Sequence, residues 1–85
     1  MEKSATFRRE ITALGDVFDF IESMFAAGGI DPEMRFPVDL AVEEIFTNFV
    51  KYNPAGKGGI GLCLTLEDSE LRMALTESDS APFDL

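Results

Sequence analysis

The chain has 85 residues, of which 46% are hydrophobic and eight are phenylalanine, so it holds enough apolar material for a single folded domain over residues 1–85. Its formal net charge is −9, from 16 acidic and 7 basic side chains, which argues against nucleic-acid binding and against binding to an anionic membrane surface. It has no histidine and one cysteine, Cys63, which excludes histidine-dependent catalysis, histidine-ligated metals and an internal disulfide.

The first predicted elements are a short strand and an amphipathic helix. Residues 5–11, ATFRREI, alternate loosely between apolar and polar and predict the strand. The apolar residues that follow recur at helical spacing and predict a helix over 14–27. Gly28 and Gly29 come next, and glycine readily adopts the left-handed conformation of a helix C-cap. The predicted buried face consists of Leu14, Val17, Phe18, Ile21, Met24 and Phe25.

A connector and a second helix come next. Asp31, Pro32 and Glu33 predict one short helical turn, since proline suits the first position of a helix. The second long helix is predicted over 38–52, after Pro37. Its predicted apolar face consists of Val42, Ile45, Phe46 and Phe49.

The second half of the chain predicts a loop and a β-hairpin. Residues 54–59, PAGKGG, favour an ordinary connector over a phosphate loop, because a Lys-Ser or Lys-Thr pair is missing and a strand follows. Apolar residues alternate over 60–66 and 71–75, and EDSE between them supplies a turn. Cys63 in the first strand is predicted to be a buried small hydrophobic residue. The element order predicts an α+β two-layer sandwich, with two helices on one face of a mainly antiparallel sheet.

The two ends of the chain provide evidence on the cellular location and on the partners of the protein. The N-terminus has no apolar signal core, and no apolar run nears the ~20 residues that span a bilayer, so a cytoplasmic setting is predicted. Residues 67–85 hold six acidic side chains and one basic side chain. Such a stretch either aids solubility or meets a basic partner.

The stretch AVEEIFTNFVKYN, residues 41–53, carries a polar stripe within the second helix. Glu44 and Asn48 are four residues apart, and Lys51 and Tyr52 follow Asn48 at three and four residues. Residues at these spacings share one face of a helix, here opposite the apolar face. The stripe is therefore either the solvated side of an amphipathic helix or a site.

A resemblance to a known family supports the second alternative, that the stripe is a site. The spacing Glu44-x-x-x-Asn48-x-x-Lys51-Tyr52 is similar to the N-box of the GHKL, or histidine-kinase-like, ATPases, and the string FPVDLAVEEIFTNFVKY resembles the branch of anti-sigma-factor serine kinases. The hairpin and the segment ending in Pro82-Phe83-Asp84 extend the resemblance, because the family carries its G1 box there. The match runs from about Phe7 to Asp84. It implies a Bergerat-type ATPase fold.

The resemblance also implies roles for these residues. Asn48 would ligate the Mg²⁺ of Mg-ATP, an ion that prefers oxygen ligands. Glu44 would be the catalytic general base. Lys51 would place its charge near the phosphates, and Tyr52 would line the nucleotide pocket.

The G1-like segment departs from the family pattern. Anchored on Pro82-Phe83-Asp84, the position of the adenine-binding aspartate holds Ser78 and that of the following glycine holds Ser80. A shift by one residue makes Asp79 the adenine partner and puts Ala81 at the glycine position. Both registers stay open, with Asp79 as the candidate.

A larger departure is that the family's ATP lid and G2 box would follow Leu85. The sequence therefore predicts a truncated ATPase domain that is impaired or inactive as this chain alone. Two functions from different classes remain: an anti-sigma-factor kinase-like, ATP-binding regulatory protein, and a non-catalytic module for dimerisation or protein interaction. A third alternative is that the 85 residues are a fragment of a longer enzyme. The implied partners are a second copy of the chain, a sigma factor or an anti-sigma antagonist protein. A homo-oligomer is expected because unpaired sheet edges and apolar faces invite another chain.

Overall fold

The sheet is three-stranded, antiparallel and open. The computed structural model of the chain describes residues 1–52 and 58–77. Strands β1 (Glu2–Phe7), β2 (Ile60–Glu67) and β3 (Glu70–Glu77) lie in the order β1-β2-β3. Two helices pack on this sheet, so the α+β class is confirmed. In the described part of the chain β3 pairs with β2 alone.

The two long helices form where the apolar spacing predicts them, with one changed boundary. Helix α1 spans Leu14–Gly28, and Gly29 follows it in the left-handed conformation, with φ at 60°. Helix α2 spans Arg35–Tyr52, so it begins three residues before the predicted start. Pro37 is compatible with this earlier start because the first amide groups of a helix have no intrahelical acceptor.

Short 3₁₀ turns precede both helices. One spans Ile11–Ala13 and the other Pro32–Met34. In the second, a carboxylate oxygen of Asp31 accepts a hydrogen bond from the backbone amide of Glu33 at 2.9 Å. The helical turn predicted at this position is therefore confirmed.

The first strand lies earlier in the chain than predicted. Its register pairs Glu2 with Thr65 and Phe7 with Ile60. After Phe7 the chain turns, and the amide of Glu10 donates to the carbonyl oxygen of Arg8 at 2.9 Å. Residues 8–11 were therefore wrongly predicted as strand, because pairing with β2 ends at Phe7.

The core lies between the helical layer and one face of the sheet. Ile21 and Met24 of α1 and Val42 and Phe46 of α2 are at most 1% exposed. They pack on the inner face of β2, which consists of Ile60, Leu62 and Leu64.

Two side chains predicted to be covered lie at the margin of this core. Ile45 was predicted on the buried face of α2 and is 39% exposed. Met73 of β3 pairs with the buried Leu64, yet it is 37% exposed. The helical layer thus covers β2 more completely than it covers β3.

The outer face of the sheet carries small and polar side chains. Cys63 lies on this face between its strand partners Ser4 and Ala74 and is only partly buried. The prediction of a buried cysteine was wrong because strand alternation places Cys63 opposite Leu62 and Leu64.

Arg35 joins the two helices at one end of the layer. Its Nε donates to Asp39 Oδ1 at 2.8 Å, its Nη2 donates to the carbonyl oxygen of Phe18 at 3.0 Å, and its Nη1 pairs with Glu22. The hydrogen bond with Asp39 is the largest cause that raises the pKa of Arg35, with the bond to Glu22 adding to it.

Within the described residues, neither helix is long and apolar enough to cross a membrane.

Candidate functional site

Helix α2 presents the predicted site residues on its outer side. Its buried residues are Val38, Val42 and Phe46, which recur every four positions and fix the rotation of the helix on the sheet. That rotation turns the opposite side to solvent. The four predicted site residues of α2 are all exposed: Glu44, Asn48, Lys51 and Tyr52. The expectation that the stripe faces away from the core is confirmed.

Glu44 and Asn48 line one shallow surface groove of about 370 Å³. Leu40, Glu43 and Thr47 complete its lining, so every wall residue belongs to α2. The helix therefore brings a carboxylate and an amide, one turn apart, to the same groove.

Lys51 and Tyr52 lie in the last turn of the helix, beyond this groove. The Nζ atom of Lys51 is 5.6 Å from the centroid of the Tyr52 ring, which is cation–π distance. The ammonium group also suits the negative end of the helix dipole. The described residues thus hold Lys51 and Tyr52 against each other, next to the groove of Glu44 and Asn48.

The groove has side-chain oxygens available for a ligand. The side chains of Glu44 and Asn48 have no hydrogen-bond partner among residues 1–52 and 58–77. No three histidine, cysteine or acidic side chains in the described ranges are grouped as a metal cage. A cation in this groove would therefore be held by few protein oxygens, with the remaining ligands supplied by water or by a bound anion.

Asp79, the predicted adenine partner, lies outside the described residues, as do the alternatives Ser78, Ser80 and Ala81. Glu77 is the last described residue and the last residue of β3. Of the stretch ESDSAPFDL, residues 77–85, that contains the G1-like segment, the structure therefore describes Glu77 alone.

Sequence reasoning did not single out Arg9, which lies at the end of the sheet that leads to this segment. Its side chain is 4% exposed, whereas that of the neighbouring Arg8 is 69% exposed. The dipeptide Arg8-Arg9 carries no signal that separates the two, because both follow a strand whose end the sequence misplaced. Their burial follows from where the chain turns after Phe7.

Comparisons of the chain with protein-family models, with curated proteins and with solved structures find no match.

Proposed function

We propose that the chain is an ATP-binding regulatory protein of the anti-sigma-factor serine kinase type, built on part of a Bergerat-type ATPase fold. The observation that carries the proposal is that Glu44 and Asn48 line one groove on the solvent side of α2. The spacing of Lys51 and Tyr52 behind them supports the same assignment.

Asn48 is the proposed metal ligand, through its side-chain oxygen. Magnesium held there would neutralise part of the charge of the phosphates. The residues present fit this role, since one amide oxygen together with phosphates and waters satisfies an ion that sheds water reluctantly. Glu44, one turn away, is the proposed general base that orients or deprotonates the nucleophile.

Three further residues are proposed to contact the nucleotide. Lys51 places a positive charge near the phosphates, and Tyr52 offers its exposed ring to the nucleotide. Asp79 is the proposed adenine partner. For residues 1–85 the proposal is binding rather than phosphoryl transfer, because the groove is open and does not exclude water from a reacting phosphate.

The proposed setting is cytoplasmic, and the proposed macromolecular partners are a sigma factor or an anti-sigma antagonist protein. A homo-oligomer formed through β3 is also proposed. Its support is that β3 has no second strand partner within the described residues and that Met73 on this strand is 37% exposed.

A second candidate is a non-catalytic interaction module. Phe36 is 74% exposed and Leu40, one turn later on α2, is 53% exposed. Large apolar side chains exposed next to each other typify protein interfaces. In this alternative the groove beside Glu44 holds a protein side chain and no nucleotide.

Calorimetric titration of Mg-ATP separates the candidates. The wild type should bind weakly and only with magnesium. Asn48→Ala should abolish the magnesium dependence by removing the ligand oxygen, while Glu44→Gln should leave binding intact because it keeps the phosphate contacts. No heat at millimolar Mg-ATP would refute nucleotide binding. Binding that keeps its magnesium dependence in Asn48→Ala would refute the placement of the site.

A further inference from the structure

The register of the sheet determines which backbone groups of β3 point to its free edge. The amide of Leu66 donates to the carbonyl oxygen of Met1 at 2.7 Å, and the amino group of Met1 donates to the carbonyl oxygen of Leu66 at 3.0 Å. Leu66 therefore bonds to the β1 side, and the alternation of an antiparallel ladder makes its neighbour Thr65 bond to Arg72 of β3. By the same alternation, the residues of β3 whose backbone groups point away from β2 are Leu71, Met73 and Leu75.

The residues that point their backbone groups to the free edge also carry the apolar side chains of the inner face of β3. Met73 is 37% exposed, although its partner Leu64 is 0% exposed, and Leu71 and Leu75 are only partly buried. Within residues 1–52 and 58–77, no strand flanks β3 on this side. One more strand at this edge would satisfy the backbone groups and cover the apolar side chains at the same time.

The other edge of the sheet, β1, carries a feature that opposes pairing. Lys3 faces the helices, where its Nζ donates to Ser23 Oγ at 3.0 Å and lies 5.9 Å from the centroid of the Phe20 ring. An inward-facing charge on an edge strand disfavours the addition of another strand. The sequence of β3, ELRMALTE, has no lysine and no proline, and its one basic side chain, Arg72, lies on the outer face. The edge that is open to pairing is therefore β3.

We propose that the occupant of this edge is the β3 strand of a second copy, paired antiparallel about a two-fold axis that passes through Met73 perpendicular to the sheet. Identical surfaces meet across such an axis, so the interface is complete with two copies of one chain. The two three-stranded sheets join into one continuous sheet, with both helical layers on the same side. This inference rests on the homo-oligomer proposed above and gives it a register.

The inner-face side chains favour an axis at Met73. In that register Met73 of one copy lies opposite Met73 of the other, and Leu71 lies opposite Leu75, so each apolar side chain meets an apolar one. Cross-strand apolar pairs of this kind stabilise a sheet. An axis at Ala74 would instead place Leu71 opposite Glu77, a carboxylate that the structure pairs with a buried arginine.

The outer-face side chains exclude a shift in the other direction. An axis at Arg72 would place the two guanidinium groups directly opposite each other, and like charges in this position destabilise a sheet. With the axis at Met73, Arg72 lies opposite Ala74 and Glu70 lies opposite Thr76. The proposed register therefore brings no like charges into direct opposition.

Amide hydrogen exchange tests the free edge in the unmodified protein. At high micromolar concentration the amides of Leu71, Met73 and Leu75 should be protected, and dilution to the monomer should speed their exchange about tenfold or more. The amides of Arg72 and Ala74 are the internal control, because they bond to β2 and should stay protected on dilution. Protection of the first three amides that does not change with concentration would mean that the chain covers its own edge, and it would overturn the inference.

Single cysteines in a Cys63→Ser background test the register. In the proposed register the Cα atoms of residue 73 in the two copies are ~5.5 Å apart, within reach of a disulfide, and those of residue 74 are farther apart than the ~7 Å limit. After oxidation with diamide, Met73→Cys should therefore shift to the mass of two chains in non-reducing electrophoresis. Ala74→Cys, the matched control one residue along the strand, should keep the mass of one chain.

A second pair of variants covers the case in which Met73→Cys weakens the dimer. Light scattering under reducing conditions shows whether this variant still associates. If it does not, an equal mixture of Leu71→Cys and Leu75→Cys chains decides. These two positions lie opposite each other in the proposed register, so the disulfide should link one chain of each kind and should not form in either variant alone.

The possible failures can be told apart. A wild type that is monomeric at high micromolar concentration refutes the proposed homo-oligomer and this inference with it. A dimer that is linked through Ala74→Cys, or through none of these cysteines, overturns the inference and leaves the homo-oligomer in place. Neither result bears on the Mg-ATP titration, which tests the groove on α2.

Discussion

The ring of Phe7 in β1 meets the ring of Phe20 in α1 edge to face, with centroids 5.8 Å apart and planes at 70°. Lys3 lies on the same strand, and its Nζ is 5.9 Å from the Phe20 centroid and donates to Ser23 Oγ at 3.0 Å. Phe20 thereby fastens α1 to the edge strand β1. Edge-to-face aromatic pairs add stability beyond the area that they bury.

Phe20→Ala should consequently lower the free energy of unfolding by about 2 kcal/mol, less than for a fully buried phenylalanine because Phe20 is only partly buried. Urea denaturation gives the value. Phe36→Ala is the matched control, since Phe36 is 74% exposed, and it should change stability by no more than about 0.5 kcal/mol. Equal losses in the two variants would mean that the Phe7–Phe20 contact does not anchor α1.

Arg35→Met should lower the free energy of unfolding by about 1 kcal/mol, because it leaves the carboxylates of Glu22 and Asp39 without their cation. Arg72→Met is the control, since the Arg72–Glu70 pair is exposed, with side-chain exposures of 67% and 66%, and should have almost no effect. Thermal denaturation of both variants checks this. A smaller loss in Arg35→Met than in Arg72→Met would contradict it.

The contribution of the Arg35 charge should not vary between about pH 6 and about pH 10. Folding raises the pKa of Arg35, chiefly through its hydrogen bond with Asp39. Within this range the carboxylates are ionised and the pH stays below the pKa of arginine in the unfolded chain, so the stabilisation is complete. It is lost as the pH rises through the higher pKa of the folded state. Urea denaturation at several pH values, comparing wild type with Arg35→Met, should give a constant difference in this range.

Ser69→Gly should raise the free energy of unfolding by about 0.5–1 kcal/mol. Asp68 and Ser69 form the two-residue turn between β2 and β3, and both have positive φ, at 50° and 67°. Glycine adopts this conformation without the steric cost that a Cβ brings. Ser4→Gly, the same change in the extended β1, should instead destabilise, and a gain in both variants would show that the turn conformation is not the cause.

Light scattering should show a dimer or larger assembly at high micromolar concentration. Met73→Lys should shift the protein towards monomer, because a lysine on the exposed part of β3 opposes pairing with another strand. Ala27→Lys adds the same charge on the exposed surface of α1 and should leave the assembly unchanged. A wild type that is a stable monomer would contradict the proposed homo-oligomer.

Much of the local structure follows from the sequence by itself, because short-range chemistry determines it. The alternation of Ile60, Leu62 and Leu64 indicated β2, and the apolar spacing after Leu14 indicated α1 to within one residue. Gly29 supplied the helix C-cap that its missing Cβ permits. The outward orientation of Glu44 and Asn48 followed in the same way, since a helix with one apolar face must turn the other to solvent.

Other features were decided by tertiary structure, because they depend on which element covers which. The register of β1 comes from pairing with β2, a partner more than fifty residues away. Arg9 is buried and Arg8 is exposed because the chain turns after β1 ends at Phe7. The sequence itself presents two adjacent arginines that it does not distinguish. Ile45 has the apolar character of a core residue, yet it lies at the margin of the layer where no neighbour covers it fully. The chemistry of a side chain determines which interactions it can make. Its burial also requires a partner surface, which only the packed fold provides.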